Sequence, residues 1–278
     1  MIRHKSFNRF LLVVLAALPT CMNDVFAKAA DNDVDETDSK REVIQAVVLK
    51  EDRPILIHLP QDYLASKRQY PVLYILDADQ GNHFQRSVEV VDSFADHNEL
   101  PRMIIVGIEN TDRLRDMNIP TFEYGGKSIV GGANRFLTFI ADEVITSITE
   151  NYRTSGFNIL FGQSASATFS IFAMVSRQGV FNAYIASSPS FFVNKDLIFA
   201  ETQKFFESKT SFNGIFFINL GTEDSMKRVE QTRSYAALLA EVAPLDFKWE
   251  LRVMNGVGHV PITSLEDGLQ MIFENINE

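Results

Sequence analysis

Ser164 stands in the stretch NILFGQSASATFS (residues 158–170), after an apolar run and at the start of a helical pattern. The local pattern Gly162-Gln163-Ser164-Ala165-Ser166 is one residue short of Gly-x-Ser-x-Gly, the turn that lifts a serine hydroxyl out of a strand and into a helix N-terminus. Such a sharp turn needs small neighbours where strand and helix touch. Gly162 supplies one, and Ser166 puts a CH₂OH where a hydrogen is usual. The pentapeptide alone allows two readings, a nucleophile or an ordinary helix N-cap. A serine hydroxyl is a poor nucleophile at neutral pH, so the first reading requires a base and an orienting acid elsewhere in the chain.

Partners of the right type follow in the right order. Beyond residue 27 the histidines are His58, His83, His97 and His259, and His259 sits in the Gly-bearing stretch NGVGHVP behind the apolar run KWELRVM. Behind the preceding run, IFFINLG, the stretch TEDSM offers Glu223 and Asp224. Serine, acid, histidine, each after its own strand, is the chain order of one class of Ser-His-Asp enzymes. In that chemistry His259 removes the Ser164 proton and returns it to the leaving alcohol, while the carboxylate fixes the imidazole tautomer. The tetrahedral oxyanion needs two N–H donors. Ala165 N–H, just after the nucleophile, is one, and Asp79 N–H in the loop DADQGN is the other candidate.

The elements that must carry these residues are legible as periods. EVIQAVVLK and PILIHLP alternate and predict two antiparallel strands with a turn near EDR. The runs 72–76, 103–108, 158–162, 183–188, 215–221 and 248–254 read as buried strands. Between them lie helical patterns. In ANRFLTFIADEVITSITENY, Phe136, Ile140, Val144 and Ile148 fall four apart, and SASATFSIFAMVSR, VEQTRSYAALLAEV and SLEDGLQMIFENI are amphipathic too. Strands alternating with helices predict a mainly parallel sheet covered on both faces. Antiparallel strands at the start fit an α/β-hydrolase better than a dinucleotide-binding fold, and the phosphate-binding glycine loops are missing. Residues 109–132 fit neither period and read as a long loop, a length that is usually functional.

Composition narrows the partners. Lys+Arg number 26 against 36 Asp+Glu, and no basic run or basic–aromatic stripe disposes the chain toward nucleic acid. Residues 1–27 pair a basic start, MIRHKSFNR, with a nine-residue apolar stretch, too short to cross a bilayer, and read as a signal peptide cut after Ala27. Cys21, the single cysteine, lies within it in a weak lipoprotein-like box. The expected organisation is a leader over 1–27, a solvated acidic tail over 28–42 and one domain over 43–278, exported to the periplasm or beyond without stable membrane insertion. Oligomeric state is not legible.

Taken together, several segments resemble the putative-esterase family of α/β-hydrolases, which includes feruloyl esterases, mycolyltransferases of the antigen 85 type, esterase D and periplasmic siderophore esterases. They are YPVLYILDAD, FGQSASATFSIFAM, FNAYIASSPSFFVN, LGTEDS and GVGHVPITSLEDGLQMIF, in order from about residue 43 to 276. The resemblance implies Ser164 as nucleophile, His259 as base and, three residues after Gly221, Asp224 rather than Glu223 as the acid. NTDRLRDMNIP is similar to a loop of the siderophore-esterase branch, which implies Arg113 or Arg115 facing substrate; salt bridges to Asp112 or Asp116 are the plain alternative. Three departures stand out: Ala78 for a glycine of the oxyanion strand, Ser166 for the elbow glycine, and Phe191-Phe192 where that branch often has Trp. The implied activity is hydrolysis of a siderophore-type or other small carboxylic ester through an acyl-enzyme, with no metal or organic cofactor. An acyltransferase of the same fold and a noncatalytic binding member are the rival readings.

Overall fold

The computed structural model describes residues 39–207 and 209–276; the leader, the cut after Ala27, Cys21 and the tail up to residue 38 lie outside the described residues. The chain opens with a hairpin of β1 (Lys40–Ala46) and β2 (Glu51–His58), followed by β3 (Tyr70–Leu76), α1 (His83–Asp96) and β4 (Ile104–Ile108). A short α2 (Arg113–Asp116) and a two-stranded hairpin of β5 (Phe122–Tyr124) and β6 (Lys127–Ile129) come next. Then one helical run holds α3 (Ala133–Thr138), a π-helical turn (Phe139–Val144) and α4 (Ile145–Asn151). The rest alternates: β7 (Thr154–Gln163), α5 (Ala165–Ser176), β8 (Ala183–Ser187), α6 (Lys195–Glu207), β9 (Ile215–Gly221), α7 (Met226–Val242), β10 (Lys248–Met254) and α8 (Ser264–Ile276).

Eight strands form one sheet in the order β1-β2-β4-β3-β7-β8-β9-β10, antiparallel at β1/β2 and β2/β4 and parallel from β4 onward. Successive side chains point to opposite faces, so β3 feeds two cores. Val72, Tyr74 and Leu76 join Phe136, Phe169, Phe206 and Tyr235 beneath α3 and α5–α7. Leu73 and Ile75 join Phe84, Val91, Leu265 and Leu269 beneath α1 and α8. Burial on both faces is why these strands are continuous apolar runs rather than alternating ones. The architecture is the expected α/β-hydrolase sheet.

The topology creates the site. From β3 the chain crosses through α1 to β4 on one side; from β7 it crosses through α5 to β8 on the other. The carboxyl ends of neighbouring β3 and β7 therefore lead apart, and a crevice opens at that switch point, as in other open parallel sheets. Among the described residues no helix is long and apolar enough to cross a membrane.

Several boundaries differ from the sequence expectation. The first strand starts at Lys40, inside the span assigned to the acidic tail: edge strands pair through the backbone, and Lys40, Arg41 and Glu42 stay in water. The first turn lies at Val47–Lys50 instead of at EDR, with Lys50 at φ 57°, because Arg53 is drawn into the core. Residues 83–96 and 195–207 are helices that had no assigned element. The predicted helix after residue 132 is interrupted by the π-turn, where Glu143 accepts the Val47 and Val48 N–H groups at 2.8 and 2.9 Å and so ties the helix to the first turn.

Candidate active site

Ser164 sits between β7 and α5 at φ 58°, ψ −116°. A non-glycine residue in that region is strained by roughly 1–3 kcal/mol and persists only if its surroundings hold it. Its N–H donates to Ser187 O at 2.9 Å, and its own carbonyl accepts the Ser190 N–H at 3.0 Å. Gly162 makes the turn possible: a Cβ there would lie 2.2 Å from the Ser166 carbonyl oxygen. Ser166, the departure from the usual glycine, is fully buried. Its Oγ accepts the Gln163 N–H at 2.9 Å and donates to Gln163 O at 2.8 Å, which laces the elbow shut. Ala165 is the first residue of α5, so its N–H is one of the donors that a helix leaves unpaired at its start.

The acid and the histidine come from the next two parallel strands. His259 Nδ1 lies 2.7 Å from Asp224 Oδ2. The Asp224 side chain is 3% exposed, and its other oxygen accepts Arg228 Nε at 2.8 Å and the Ser225 N–H at 2.6 Å. Burial pushes its pKa up, but the hydrogen bonds from Arg228, His259 and Ser225 outweigh burial and hold it below the ordinary carboxylate value. Glu223, its neighbour, is exposed, and its N–H is bonded to Val257 O. A carbonyl facing Nδ1 would demand a proton there, and so does this carboxylate; Nε2 is thereby left as the basic nitrogen.

The two loops are stitched by backbone. Thr222 N–H donates to Met254 O, Glu223 N–H to Val257 O, and Gly256 N–H to Thr222 Oγ1, each within 3.0 Å. A side chain on Gly221 would put its Cβ 2.1 Å from Val257 O and 2.2 Å from Gly258 O, so only glycine lets the histidine loop lie on the acid turn. The link back to the serine runs through residues outside the sequence motifs of the triad. Val260 N–H donates to Ser188 Oγ at 3.1 Å, one residue from the Ser187 carbonyl that holds Ser164. Below it, Ser187, Asn219 and Ser264 form a buried network that reaches Pro261 O. Their only sequence signal was the SPS segment at 188–190 and the polar Asn219 inside an apolar strand.

On the other flank, the loop after β3 starts with buried Asp77 at φ 57°. Ala78 N–H donates to Ile108 O and Gln80 N–H to Asp77 O, which leaves the N–H of Asp79 between two bonded neighbours. Ala78 replaces the usual glycine at no cost in space, because it faces the bare Cα of Gly107. The Asp79 carboxylate is fixed by Asn110, whose N–H and Nδ2 donate at 2.9 and 2.7 Å.

Arg113 and Arg115 lie close by, and both are committed to carboxylates. Arg113 binds Asp77 with two hydrogen bonds of 2.8 and 2.7 Å. Arg115 spans Glu51 and Asp116, and Asp116 in turn meets the fully buried Arg53 at 2.7 Å. Arg53 also contacts Thr111 and packs over Phe136. The Arg115 bonds, chiefly, hold the Glu51 carboxyl down at about 2 despite partial burial. The paired acids are Asp77, Glu51 and Asp116, so of the salt bridges weighed from sequence only the one to Asp116 is formed, and Asp112 instead caps α2. The long loop is thus a short helix pinned by buried charge, with the β5–β6 hairpin beyond it.

Comparison with known proteins bears on the fold and on the activity. The family model described as Putative esterase matches residues 46–259. Ferri-bacillibactin esterase BesA of Bacillus subtilis is 25% identical over 217 residues, 69% of this chain and 74% of that protein. An IroE-like serine hydrolase from Shewanella oneidensis superposes with a TM-score of 0.78 at 25% identity, covering 86% of this chain and 81% of its own. Siderophore hydrolase EstA of Aspergillus nidulans shares the fold with a TM-score of 0.72 at 21% identity, over 87% and 96% of the two chains. The chain belongs to the putative-esterase family of α/β-hydrolases, and it is an esterase.

Proposed function

We propose that this esterase cleaves its substrate through Ser164, His259 and Asp224 with an acyl-enzyme intermediate. The observation that carries the proposal is the 2.7 Å contact between His259 Nδ1 and the buried Asp224, on the same sheet edge as a serine in elbow geometry. Ser164 Oγ attacks the ester carbonyl as its proton passes to His259 Nε2. Asp224 stabilises the imidazolium without taking its proton. The oxyanion is met by the Ala165 and Asp79 N–H groups, each worth roughly 3–4 kcal/mol to the transition state. Collapse of the tetrahedral adduct delivers the proton to the leaving alcohol. A water molecule, activated by the same histidine, then releases the acid.

Two of the named relatives are a ferri-bacillibactin esterase and a siderophore hydrolase, and that supports a siderophore-type ester as the substrate here. Residues 1–27 support export, with cleavage after Ala27, which the mass of the protein recovered outside the cytoplasm would test. The decisive experiment for the chemistry is Ser164→Ala. Turnover of a short aryl ester is expected to vanish and labelling by a fluorophosphonate probe with it, while the melting curve is retained. Full activity in that variant would overturn the assignment.

A further inference from the structure

A cavity of about 410 Å³ opens beside the elbow, and its wall includes chain neighbours of three parts of the proposed machinery. Gln163 precedes the nucleophile, Gln80 follows Asp79, and Val260 follows His259; all three line the cavity. Each is one step of chain, about 3.8 Å between Cα atoms, from the residue it adjoins, which places the cavity next to the elbow. The base is apolar, built from Val90, Phe161 and Leu265.

The polar lining has a particular character. No carboxylate is among the lining residues, although the whole chain carries a formal charge of −10. Arg86 is the one lining residue with a permanent charge, and its guanidinium makes no hydrogen bond or ion pair with the other described residues, only its backbone N–H donating to Asn82 O. The same holds for the side-chain amides of Asn82 and Gln163. Burial, the largest influence on His83, pushes its pKa down and disfavours its charged form, and its Nε2 is buried without a partner. The contrast with Arg53, Arg113 and Arg115 is direct, since each of those is matched by carboxylates. Glu266 feels the Arg86 charge from α8, yet the two form no ion pair. A free guanidinium with amide donors around it, above an apolar base, is a receptor for an acceptor-rich anion on a short apolar stem.

We propose that this cavity is a specificity subsite that binds a carboxylate carried by the ester substrate, with Arg86 as its reader. The inference rests on the esterase reading of the adjacent Ser164. The carboxylate can sit on the acyl side or on the alcohol side of the scissile bond, and the experiment separates the two. The para-nitrophenyl monoester of glutaric acid is compared with para-nitrophenyl pentanoate, and para-(butanoyloxy)benzoate with its methyl ester. In Arg86→Met the ratio of kcat/KM for charged over neutral ester is expected to fall about tenfold in one of the two pairs, a hydrogen bond to a charged group in a partly enclosed site being worth about that much. Arg86→Lys should restore part of it, and the change should appear mainly in KM. An unchanged ratio in both pairs overturns the proposal.

Binding decides the point independently of turnover. Calorimetric titration of Ser164→Ala with glutarate and with para-hydroxybenzoate should show one of them binding, and about tenfold more weakly when Arg86→Met is added. Equal affinity with and without Arg86, or binding of neither acid, overturns the subsite. If wild-type protein hydrolyses none of the four esters, the triad reading fails by that result, while the titration still rules on the cavity.

Discussion

The two flanks of the Ser164 elbow are held by different kinds of bond. On the β9–β10 side, Asp224 and His259 are positioned chiefly by main-chain hydrogen bonds between two adjoining turns and by the bare Cα of Gly221, with Arg228 on Asp224 as the one cation besides the histidine among the described residues. On the β3–β4 side, the loop bearing Asp79 is positioned by charged side chains: Arg113 and Asn110 on Asp77, with Arg53, Asp116, Arg115 and Glu51 beneath them. The first flank rests on close backbone contact and does not tolerate an added atom at Gly221. The second depends more widely on the ionisation of its acids. A proton-relay geometry needs tenths of an ångström, whereas a loop that offers a backbone N–H is sufficiently placed by a few strong ion pairs.

That comparison is broken most severely at the acid itself. Asp224→Asn is expected to lower kcat by a factor on the order of 10⁴, as loss of the correct imidazole tautomer does in other triads. The neighbouring Glu223→Gln should change kcat less than twofold, because Glu223 is exposed and bonded only through its backbone. Steady-state kinetics on one aryl ester for both variants checks the pair; equal losses would remove Asp224 from the mechanism.

Next is Gly221→Ala. The new methyl lands against the Val257 and Gly258 carbonyls and must push the histidine loop off the acid turn. A displacement of about 1 Å costs roughly a hundredfold in kcat. A crystal structure or a kcat measurement would reveal it, and retained activity would show the stitching to be slack.

A smaller effect is expected on the charged flank. Arg113→Met leaves Asp77, 4% exposed, with Asn110 as its remaining side-chain partner, and an under-satisfied buried carboxylate costs roughly 1–3 kcal/mol. Adding Asp77→Asn should recover most of that stability, because both charges are then gone. Denaturant titration of the two single variants and the double reads the coupling. Additive losses would show that the ion pair does not hold the loop.

The smallest effect is the pH dependence of Glu51. Its folded-state pKa of about 2 lies below the ordinary value of 4.5. The stability it contributes is therefore complete above about pH 4.5 and lost as pH falls toward 2. Exposure of the pair limits this to about 1 kcal/mol. Glu51→Gln should flatten that acid limb in unfolding measured across the range, leaving the limb due to Asp224 in place.

Much of the site was legible because its grammar is local. An apolar run and a small-residue turn located β7, Ser164 and the start of α5 within a few positions, although α5 is buried from Ser166 to Val175 and presents no polar stripe. The same grammar located the turns after β9 and β10 that bear Asp224 and His259. Charge was read poorly, because its partners are distant in sequence. Arg53 meets Asp116 63 positions away and Arg115 meets Glu51 64 positions away, and nothing in the spacing of NTDRLRDMNIP announces either contact. Hydroxyl roles were equally hidden: Ser166 looked like a flawed glycine and proves to be a two-way hydrogen-bonded clamp.

The sequence by itself determined the eight strands of the large sheet, the helices that follow residues 132, 164, 225 and 263, the residue types able to carry acyl transfer, and the absence of phosphate-binding loops. Those follow from the side-chain period and turn chemistry, which act over a few residues. Only the tertiary structure decided how the Asp224 turn and the His259 loop are stitched together, that Arg113 and Arg115 brace a loop, and that Arg86 stands unpaired at a cavity. Those outcomes depend on which strands lie side by side at the switch point, and hydrophobic burial sets that across the whole chain at once.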